Sequence, residues 1–459
     1  VAAYMHDLDE ELWKLGIPAK TKHNEVAPAQ HELAPVFDTT NVAVDHNQLT
    51  MEIMKKVADK HDLVCLLHEK PFEGINGSGK HNNWSMITDD GVNLLDPGKT
   101  PSENIQFLVF LMAVIKAVDE YADLLRISVA SAGNDHRLGA NEAPPAVVSI
   151  FLGDELTEVL KSIENDTYFT SHGAVQMDIG ATVLPHFVKD NTDRNRTSPF
   201  AFTGNKFEFR MLGSAASVAN PNIVLNTAVA EALDQFAKEL DGVAPEDMEH
   251  AVHELIKRAI KKHKRVIFNG NGYTDEWIEE AKKRGLYNLK STPDALPMWI
   301  AQKNIDLFTK HSIFTSEELH SRYEIWLENY SKTINIESNT MVEMVQKDLL
   351  PSVMSYIEEI ASTASLKASV VPGITCESET ALITKLSELQ DAMTKGLEKL
   401  KSDTAKARAT EDVLENAKLY QAEVLEDMEE LRKSADAAET LIPDDLLPYP
   451  TYGKLLFYI

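Results

Sequence analysis

Apolar residues recur at steps of three and four near the start of the chain and again after residue 40, which is the period of a helix with one buried face. The first run ends at Gly16-Ile17-Pro18, a good helix stop. The second run spans residues 42–57. Between the two helices, residues 21–26 predict a short strand, and the apolar run 63–67 predicts a buried strand after the second helix.

Three further stretches of the first half predict regular elements. A capping box at residues 100–103 predicts a strongly apolar helix through about residue 121, and residues 126–130 predict a strand that leads into a long polar loop. Residues 206–210 alternate between charged and aromatic side chains, as a strand with two different faces does. One face of that strand carries Lys206, Glu208 and Arg210.

Beyond about residue 240 the pattern predicts helices joined by short capped turns, such as Thr292-Pro293 and Thr315 with Glu318. The runs 382–400 and 413–438 place apolar residues at alternating steps of three and four, which is typical of a coiled-coil seam. Together they predict an antiparallel helical hairpin with a break near residues 402–410.

Composition narrows the classes of partner. A formal net charge of -27 argues against nucleic acid or an anionic membrane surface as the main partner. No apolar run approaches the roughly 20 residues that a membrane-spanning helix needs. The two cysteines, Cys65 and Cys376, lie far apart and indicate neither a disulfide framework nor a paired metal site, so a reducing cytoplasm fits.

Residues 68–85 hold the densest group of residue types that carry chemistry. Asn76-Gly77-Ser78-Gly79 predicts a tight turn with exposed backbone, because glycines permit positive φ and close approach of a ligand. In the strand that follows, alternation places three polar side chains on one face. They are His81, Asn83 and Ser85.

Polar residues in three other segments, 25–32, 137–142 and 196–210, could join this segment in one site. Hard divalent cations bind carboxylates and imidazole, for which the candidates are Glu25, Glu32, His81 and Glu208. Donors for phosphate or carboxylate, as phosphoryl transfer needs, could be Arg137, Arg196, Arg210 and Lys206. Spacing alone leaves the structural alternatives open: a ladder of salt bridges on the strand, solvated carboxylates at a bend and a core histidine.

Four ordered runs resemble glutamine synthetase, most of all its long bacterial type III form, and the resemblance covers essentially the whole chain. The runs are NEVAPAQHE at 24–32, NGSGKH at 76–81, RLGANEAPP at 137–145 and NRTSPFAFTGNKFEFR at 195–210. The resemblance implies an α+β fold with a curved, largely antiparallel sheet flanked by helices. It also implies a catalytic domain over 1–240, a helical extension over 241–370 and a C-terminal hairpin and tail over 371–459.

The family resemblance implies an ATP-dependent ligase that makes glutamine from glutamate and ammonia through γ-glutamyl phosphate. Two or three Mg²⁺ or Mn²⁺ ions would be the cofactors and ATP the cosubstrate. Homo-oligomeric rings with active sites between adjacent subunits, in the cytoplasm, are implied as well. A γ-glutamyl amine ligase, or an inactive structural or regulatory relative, is the alternative.

Carried over motif by motif, the resemblance implies a role for each of these polar residues. Metal ligands would be Glu25, Glu32, His81 and Glu208. Glutamate would be held by Asn76, Gly77 and Arg137. The nucleotide would contact Ser85, Lys206 and Asn83. The catalytic groups would be Glu142, Arg196 and Arg210, with Glu142 as the carboxylate that deprotonates ammonium.

The sequence also departs from the family pattern. Asn83 stands where many relatives have a second histidine, and Ala201 where shorter forms have a second arginine, which puts the contacts to the ATP phosphates in doubt. No strand with paired glutamates precedes Glu25, and the chain starts without methionine. We therefore expect an N-terminal part to be missing from the sequence.

Overall fold

The computed structural model describes residues 1–141, 143–167, 176–177, 187–188 and 197–456. Two of the predicted site residues, Glu142 and Arg196, lie outside the described residues. The chain divides into two compact units, Val1–Leu319 and His320–Ile459. The first predicted domain boundary, near residue 240, lies inside the first unit, and the second, near residue 370, lies inside the second.

The first unit begins with a helix, a hairpin and a second helix; the sequence predicted both helices and the first strand, but not the second strand of the hairpin. They are α1 (Ala2–Lys14), β1 (Ala19–Asn24), β2 (His31–Pro35) and α2 (Thr40–Lys60). Helix α1 ends before Gly16, which has a φ of 74°. The two helices share a core that contains Leu8, Leu12 and Val57, and Leu33 of β2 packs against it.

A four-stranded sheet forms the centre of the first unit. Its strands are β3 (Lys80–Trp84), β4 (Ile150–Phe151), β7 (Phe200–Phe202) and β8 (Phe207–Leu212), in the order β3-β8-β7-β4. The pairs β3–β8 and β7–β8 are antiparallel, whereas β4–β7 is parallel. The short strands β5 (Gln176–Met177) and β6 (Phe187–Val188) pair with each other. Together with the helices, this sheet is the predicted α+β architecture.

The remaining helices of the first unit pack mainly on each other. They are α3 (Ile105–Glu120), α4 (Ala122–Ile127), α5 (Ala132–Arg137), α6 (Asp154–Glu164), α7 (Ala219–Leu240), α8 (Met248–His263), α9 (Asp275–Lys283), α10 (Thr292–Ala295) and α11 (Gln302–Lys310), with 3₁₀ turns at Lys264–Val266 and Leu296–Ile300. Helix α3 is apolar nearly all round and packs against α7 and α8, as expected for a buried helix.

Three local predictions in the first unit are wrong. Residues 126–130 are not a strand: α4 runs to Ile127, and the buried Arg126 guanidinium donates to the carbonyls of Leu289 and Lys290. Residues 63–67 form no strand, and Val64 is exposed. Helix α3 starts after the predicted capping box, because the Asn104 side chain accepts the N–H of Phe107 at 3.0 Å.

The second unit is helical, as predicted. Its helices are α12 (Ser316–Met344), α13 (Leu350–Val370), α14 (Glu377–Arg408), α15 (Val413–Leu419), α16 (Leu425–Glu439) and α17 (Tyr452–Leu456), with π-helical turns at Val345–Leu349 and Tyr420–Val424. The predicted capping box is present, with Thr315 and Glu318 bonded reciprocally. Helix α14 packs against α16 and α13, and the hairpin break lies after Arg408.

Among the described helices, none combines the length and the apolar character that a bilayer crossing requires.

A buried ion cluster that joins α3 to the end of α8 gives a test of the fold. The Asp119 carboxylate, 5% exposed, contacts Nδ1 of His263 at 2.8 Å and accepts Nε of Arg265 at 2.7 Å. Asp119→Ala should lower the free energy of unfolding by roughly 3 kcal/mol, because it leaves buried His263 without its carboxylate. Urea unfolding followed by tryptophan fluorescence measures this, with the exposed Asp247→Ala as control. Equal midpoints for the two variants would refute the role of the cluster.

Candidate active site

The β1–β2 hairpin brings two predicted metal ligands together and adds a third group. His23 and Glu32 are direct cross-strand partners, and Glu25 follows His23 by two residues on the same strand side. Nε2 of His23 lies 3.2 Å from a Glu25 carboxylate oxygen and 3.3 Å from a Glu32 carboxylate oxygen. One ligand atom from each of the three residues lies within 4.8 Å of the others. The hairpin can therefore hold a cation.

The electrostatics of the hairpin favour a bound cation. Burial and the neighbouring Glu25 carboxylate, which outweigh the opposing effect of His23, raise the pKa of Glu32 to about 7. Two carboxylates that repel each other in this way are stabilised by a positive ion between them. The donor set, two carboxylates and an imidazole, thus fits the divalent metal that the sequence predicts at Glu25 and Glu32.

The pairing of β3 with β8 forms the other half of the site. Asn83 lies opposite Glu208, and the register shifts between Lys80 and Asn82, next to His81. One Glu208 carboxylate oxygen accepts from Nε of Arg210 at 3.0 Å and from Nη2 at 2.8 Å. Glu208 and Arg210 are both buried, so this pair is strongly held. Glu208 and Arg210 share the predicted strand face and bind each other, whereas Lys206 lies before the start of β8.

His81 is neutral in this environment. Although the residue is exposed at the edge of the sheet, the loss of water on the protein side of the ring and the nearby Arg210 guanidinium lower the pKa of His81 to about 4, against the opposing charge of Glu208. A neutral imidazole is the form that binds a metal. The negative charge of Glu25 also opposes this lowering, so carboxylates from both halves of the site act on the pKa of His81.

The glycines at 77 and 79 serve a different purpose from the predicted one. Residues 76–79 form no tight turn, and neither glycine has positive φ. A Cβ on Gly77 would lie closer than 3.0 Å to the Glu69 carbonyl oxygen. A Cβ on Gly79 would meet the Leu212 carbonyl oxygen and Nη2 of Arg137. The close approach is therefore between protein segments, which only glycine permits.

Arg137, a predicted glutamate ligand, lies beneath this segment with 3% of its surface exposed. Its guanidinium donates to the carbonyl oxygens of Leu212 and Arg210, each at 3.1 Å, and to the side chain of Asn134. Burial lowers the pKa of Arg137, and the negative charge of Glu69 opposes that effect. In this conformation Arg137 ties α5 to the end of β8.

Two residues that the sequence did not single out connect the halves of the site. The Gln30 amide, in the hairpin turn, donates to the His68 carbonyl at 3.1 Å and accepts the backbone N–H of Ser78 at 3.2 Å. Glu69 is buried and accepts the backbone N–H of Ser214 at 3.0 Å. Both lie inside stretches that the sequence marks, 24–32 and 68–85, but their roles depend on partners 38 or more positions away. His23 could have been found from its alternation with Glu25.

The predicted nucleotide-side residues lie around the far end of β3. Ser85 donates to the Asn93 side chain at 2.8 Å and the Asn205 carbonyl at 3.1 Å. Asn83 is exposed and Lys206 is half-buried beside β8. The predicted Asn76 and Gly77 are both half-buried. Glu142 and Arg196 lie outside the described residues, so their place relative to this group is not described.

Comparison with known proteins identifies the sequence relationship. The family model "Glutamine synthetase, catalytic domain" matches residues 1–148, and "Glutamine synthetase C-terminal domain" matches residues 251–367. The chain is 60% identical to a glutamine synthetase of Butyrivibrio fibrisolvens, 46% to the type-3 glutamine synthetase of Dictyostelium discoideum and 40% to a glutamine synthetase of Bacteroides fragilis. Each match covers 100% of this chain.

The chain spans 65%, 63% and 64% of the length of these three relatives, respectively. A solved structure of a GmaS/ADP complex is similar over 72% of this chain and 60% of that chain, at 16% identity and a TM-score of 0.44. A likeness at that level carries no argument about function. The sequence relatives establish the family.

The packing of Gly79 gives a test of the site's framework. Gly79→Ala should lower the free energy of unfolding by about 1–3 kcal/mol, because the new methyl group overlaps the Leu212 carbonyl and the Arg137 guanidinium. Thermal unfolding of the purified variant measures the loss. Ser78→Ala is the matched control, since its hydroxyl makes only one contact, at 3.4 Å, to the Gly79 carbonyl. A Gly79→Ala variant as stable as Ser78→Ala would contradict this packing.

Proposed function

The chain belongs to the glutamine synthetase family, and we propose that its protein is a glutamate–ammonia ligase that uses ATP to make glutamine. The observation that carries the proposal is the hairpin cluster of His23, Glu25 and Glu32, whose donor atoms lie within 4.8 Å of one another. Phosphoryl transfer from ATP to a carboxylate needs divalent cations to neutralise the nucleotide oxygens. A ready cation site beside the motifs of a ligase family supports that chemistry.

We propose two groups of metal ligands. Glu25 and Glu32 would hold the ion next to glutamate, and His81 and Glu208 the ion next to the nucleotide. The neutral state of His81 supports this, because a protonated imidazole cannot bind a metal. Mg²⁺ or Mn²⁺, in two or three sites, fits a donor set dominated by carboxylates. When bound, the ions would neutralise charge on the phosphates.

The substrates would meet between the two groups. Asn76 and Gly77 would hold glutamate by side chain and backbone, over the buried positive charge of Arg137. Ser85, Lys206 and Asn83 would contact ATP from the far end of β3. Arg210 would bind phosphate or the substrate carboxylate, a role that suits its planar guanidinium.

The residues outside the described part complete the proposal by sequence alone. Glu142 would accept a proton from ammonium and shield the intermediate, and Arg196 would stabilise the transferring phosphoryl group. We further propose a homo-oligomeric ring with active sites between adjacent subunits, and a cytoplasmic location. The net charge of -27 supports small-molecule substrates rather than nucleic acid.

The reaction can be tested on the full-length protein. Phosphate release from ATP should depend on glutamate and ammonium together and on Mg²⁺ or Mn²⁺. Replacing ammonium with methylamine should lower the rate, whereas a γ-glutamyl amine ligase would prefer the amine. Release of glutamine, measured by chromatography, should match phosphate one to one. No turnover with either acceptor would reject both ligase functions and leave the inactive relative.

Glu208 gives a residue-level test of the nucleotide side. Glu208→Gln keeps an oxygen that can accept from Arg210 but removes the negative charge that a metal needs. Phosphate release should fall on the order of a hundredfold, the cost typical of removing one group that stabilises transition-state charge. The control is the exposed Glu73→Gln, expected to retain full activity. Unchanged phosphate release by Glu208→Gln would remove this residue from the metal site.

A further inference from the structure

His23 is held against both hairpin carboxylates by the backbone. The cross-strand pairing with Glu32 and the two-residue step to Glu25 put all three side chains on one face. The ladder continues past the strand end, because the Glu25 N–H bonds the Gln30 carbonyl at 3.0 Å. This face is consequently fixed by hydrogen-bonded main chain rather than by a free loop.

The distances at His23 match those between donors on one metal ion. Donor atoms about 2.1 Å from an ion lie about 3.0 Å apart at neighbouring octahedral positions and about 3.4 Å apart at tetrahedral ones. Nε2 of His23 lies 3.2 Å and 3.3 Å from the two carboxylate oxygens. The ring is also 50% exposed, so it is no core histidine and solvent ions can reach it.

We propose that His23 is a third protein ligand of the ion held by Glu25 and Glu32, and that it biases this site toward Mn²⁺ over Mg²⁺. Imidazole nitrogen binds first-row transition ions better than the hard Mg²⁺ ion, which prefers oxygen ligands. The bias is therefore a property of the imidazole, whereas the two carboxylates serve both ions. The inference deepens the proposed function, because it specifies which metal the glutamate-side site takes.

A different role for His23 is to orient the carboxylates by hydrogen bonding. In that case its loss would weaken Mn²⁺ and Mg²⁺ binding alike, and a glutamine side chain, which can also donate, would restore binding. If His23 is a metal ligand, its loss should weaken Mn²⁺ binding more than Mg²⁺ binding, and a glutamine in its place should not restore binding. The two roles are thus separable by comparing ions and by comparing two substitutions at one position.

Metal binding to the full-length protein, without ATP or glutamate, tests the inference. Mn²⁺ affinity is followed by electron paramagnetic resonance and Mg²⁺ affinity by competition with Mn²⁺. His23→Ala and His23→Gln should each weaken Mn²⁺ binding by about tenfold or more and Mg²⁺ binding by less than about threefold. His31→Gln, on the neighbouring position of the same hairpin and opposite Asn24, is the control and should leave both affinities unchanged.

A spectroscopic measurement complements the affinities. In a His81→Asn background, which removes the other proposed imidazole ligand, bound Mn²⁺ should show coupling to a ring nitrogen that His23→Ala abolishes. Any of three results would overturn the inference. They are an equal loss of Mn²⁺ and Mg²⁺ affinity, restored Mn²⁺ affinity in His23→Gln, and nitrogen coupling that persists in His23→Ala. Because these measurements need no turnover, a failure of the proposed reaction would show in the phosphate assay and not here.

Discussion

The antiparallel pairing of β3 with β8 is the interaction on which the candidate site depends. It sets Asn83 opposite Glu208 and leaves the register shift beside His81. The pairing also requires the chain before β3 to run against the Leu212 carbonyl, where only a residue without a side chain fits. Arg137 then bonds that same carbonyl from below. The proposed glutamate-binding segment, the proposed metal ligand His81 and the buried guanidinium of Arg137 are in this way positioned by one set of backbone contacts.

The hairpin that carries Glu25 and Glu32 is attached to this sheet by side chains rather than by strand pairing. Gln30 bonds both the His68 carbonyl and the Ser78 N–H, so the turn of the hairpin is tied to the segment that precedes β3. This amide is one of the contacts that hold the hairpin beside the segment before β3. The attachment explains how His81 comes to sense the charge of Glu25 as well as that of Glu208.

Much of the fold and part of the site could be predicted from sequence, for a physical reason. Apolar period and strand alternation are local, so helices α1 and α2, strands β1 and β8 and the seam of α14 with α16 were found. Partners distant in sequence were not: Arg126 is held in a helix by carbonyls about 160 residues away. The sequence marks Gly77 and Gly79, but a glycine is equally compatible with a positive φ and with close approach of another segment. The predicted tight turn was therefore wrong, although the glycines are required by packing.

Arg210 links the charge balance of the site to its proposed chemistry. Its guanidinium balances buried Glu208 and adds to the loss of water around the ring that lowers the pKa of His81, which favours the neutral imidazole that a metal needs. Both bonds from Arg210 end on one Glu208 oxygen, so the proposed ion would be bound through the other oxygen of the same carboxylate. In the proposed mechanism this one carboxylate would therefore hold the metal and the guanidinium side by side.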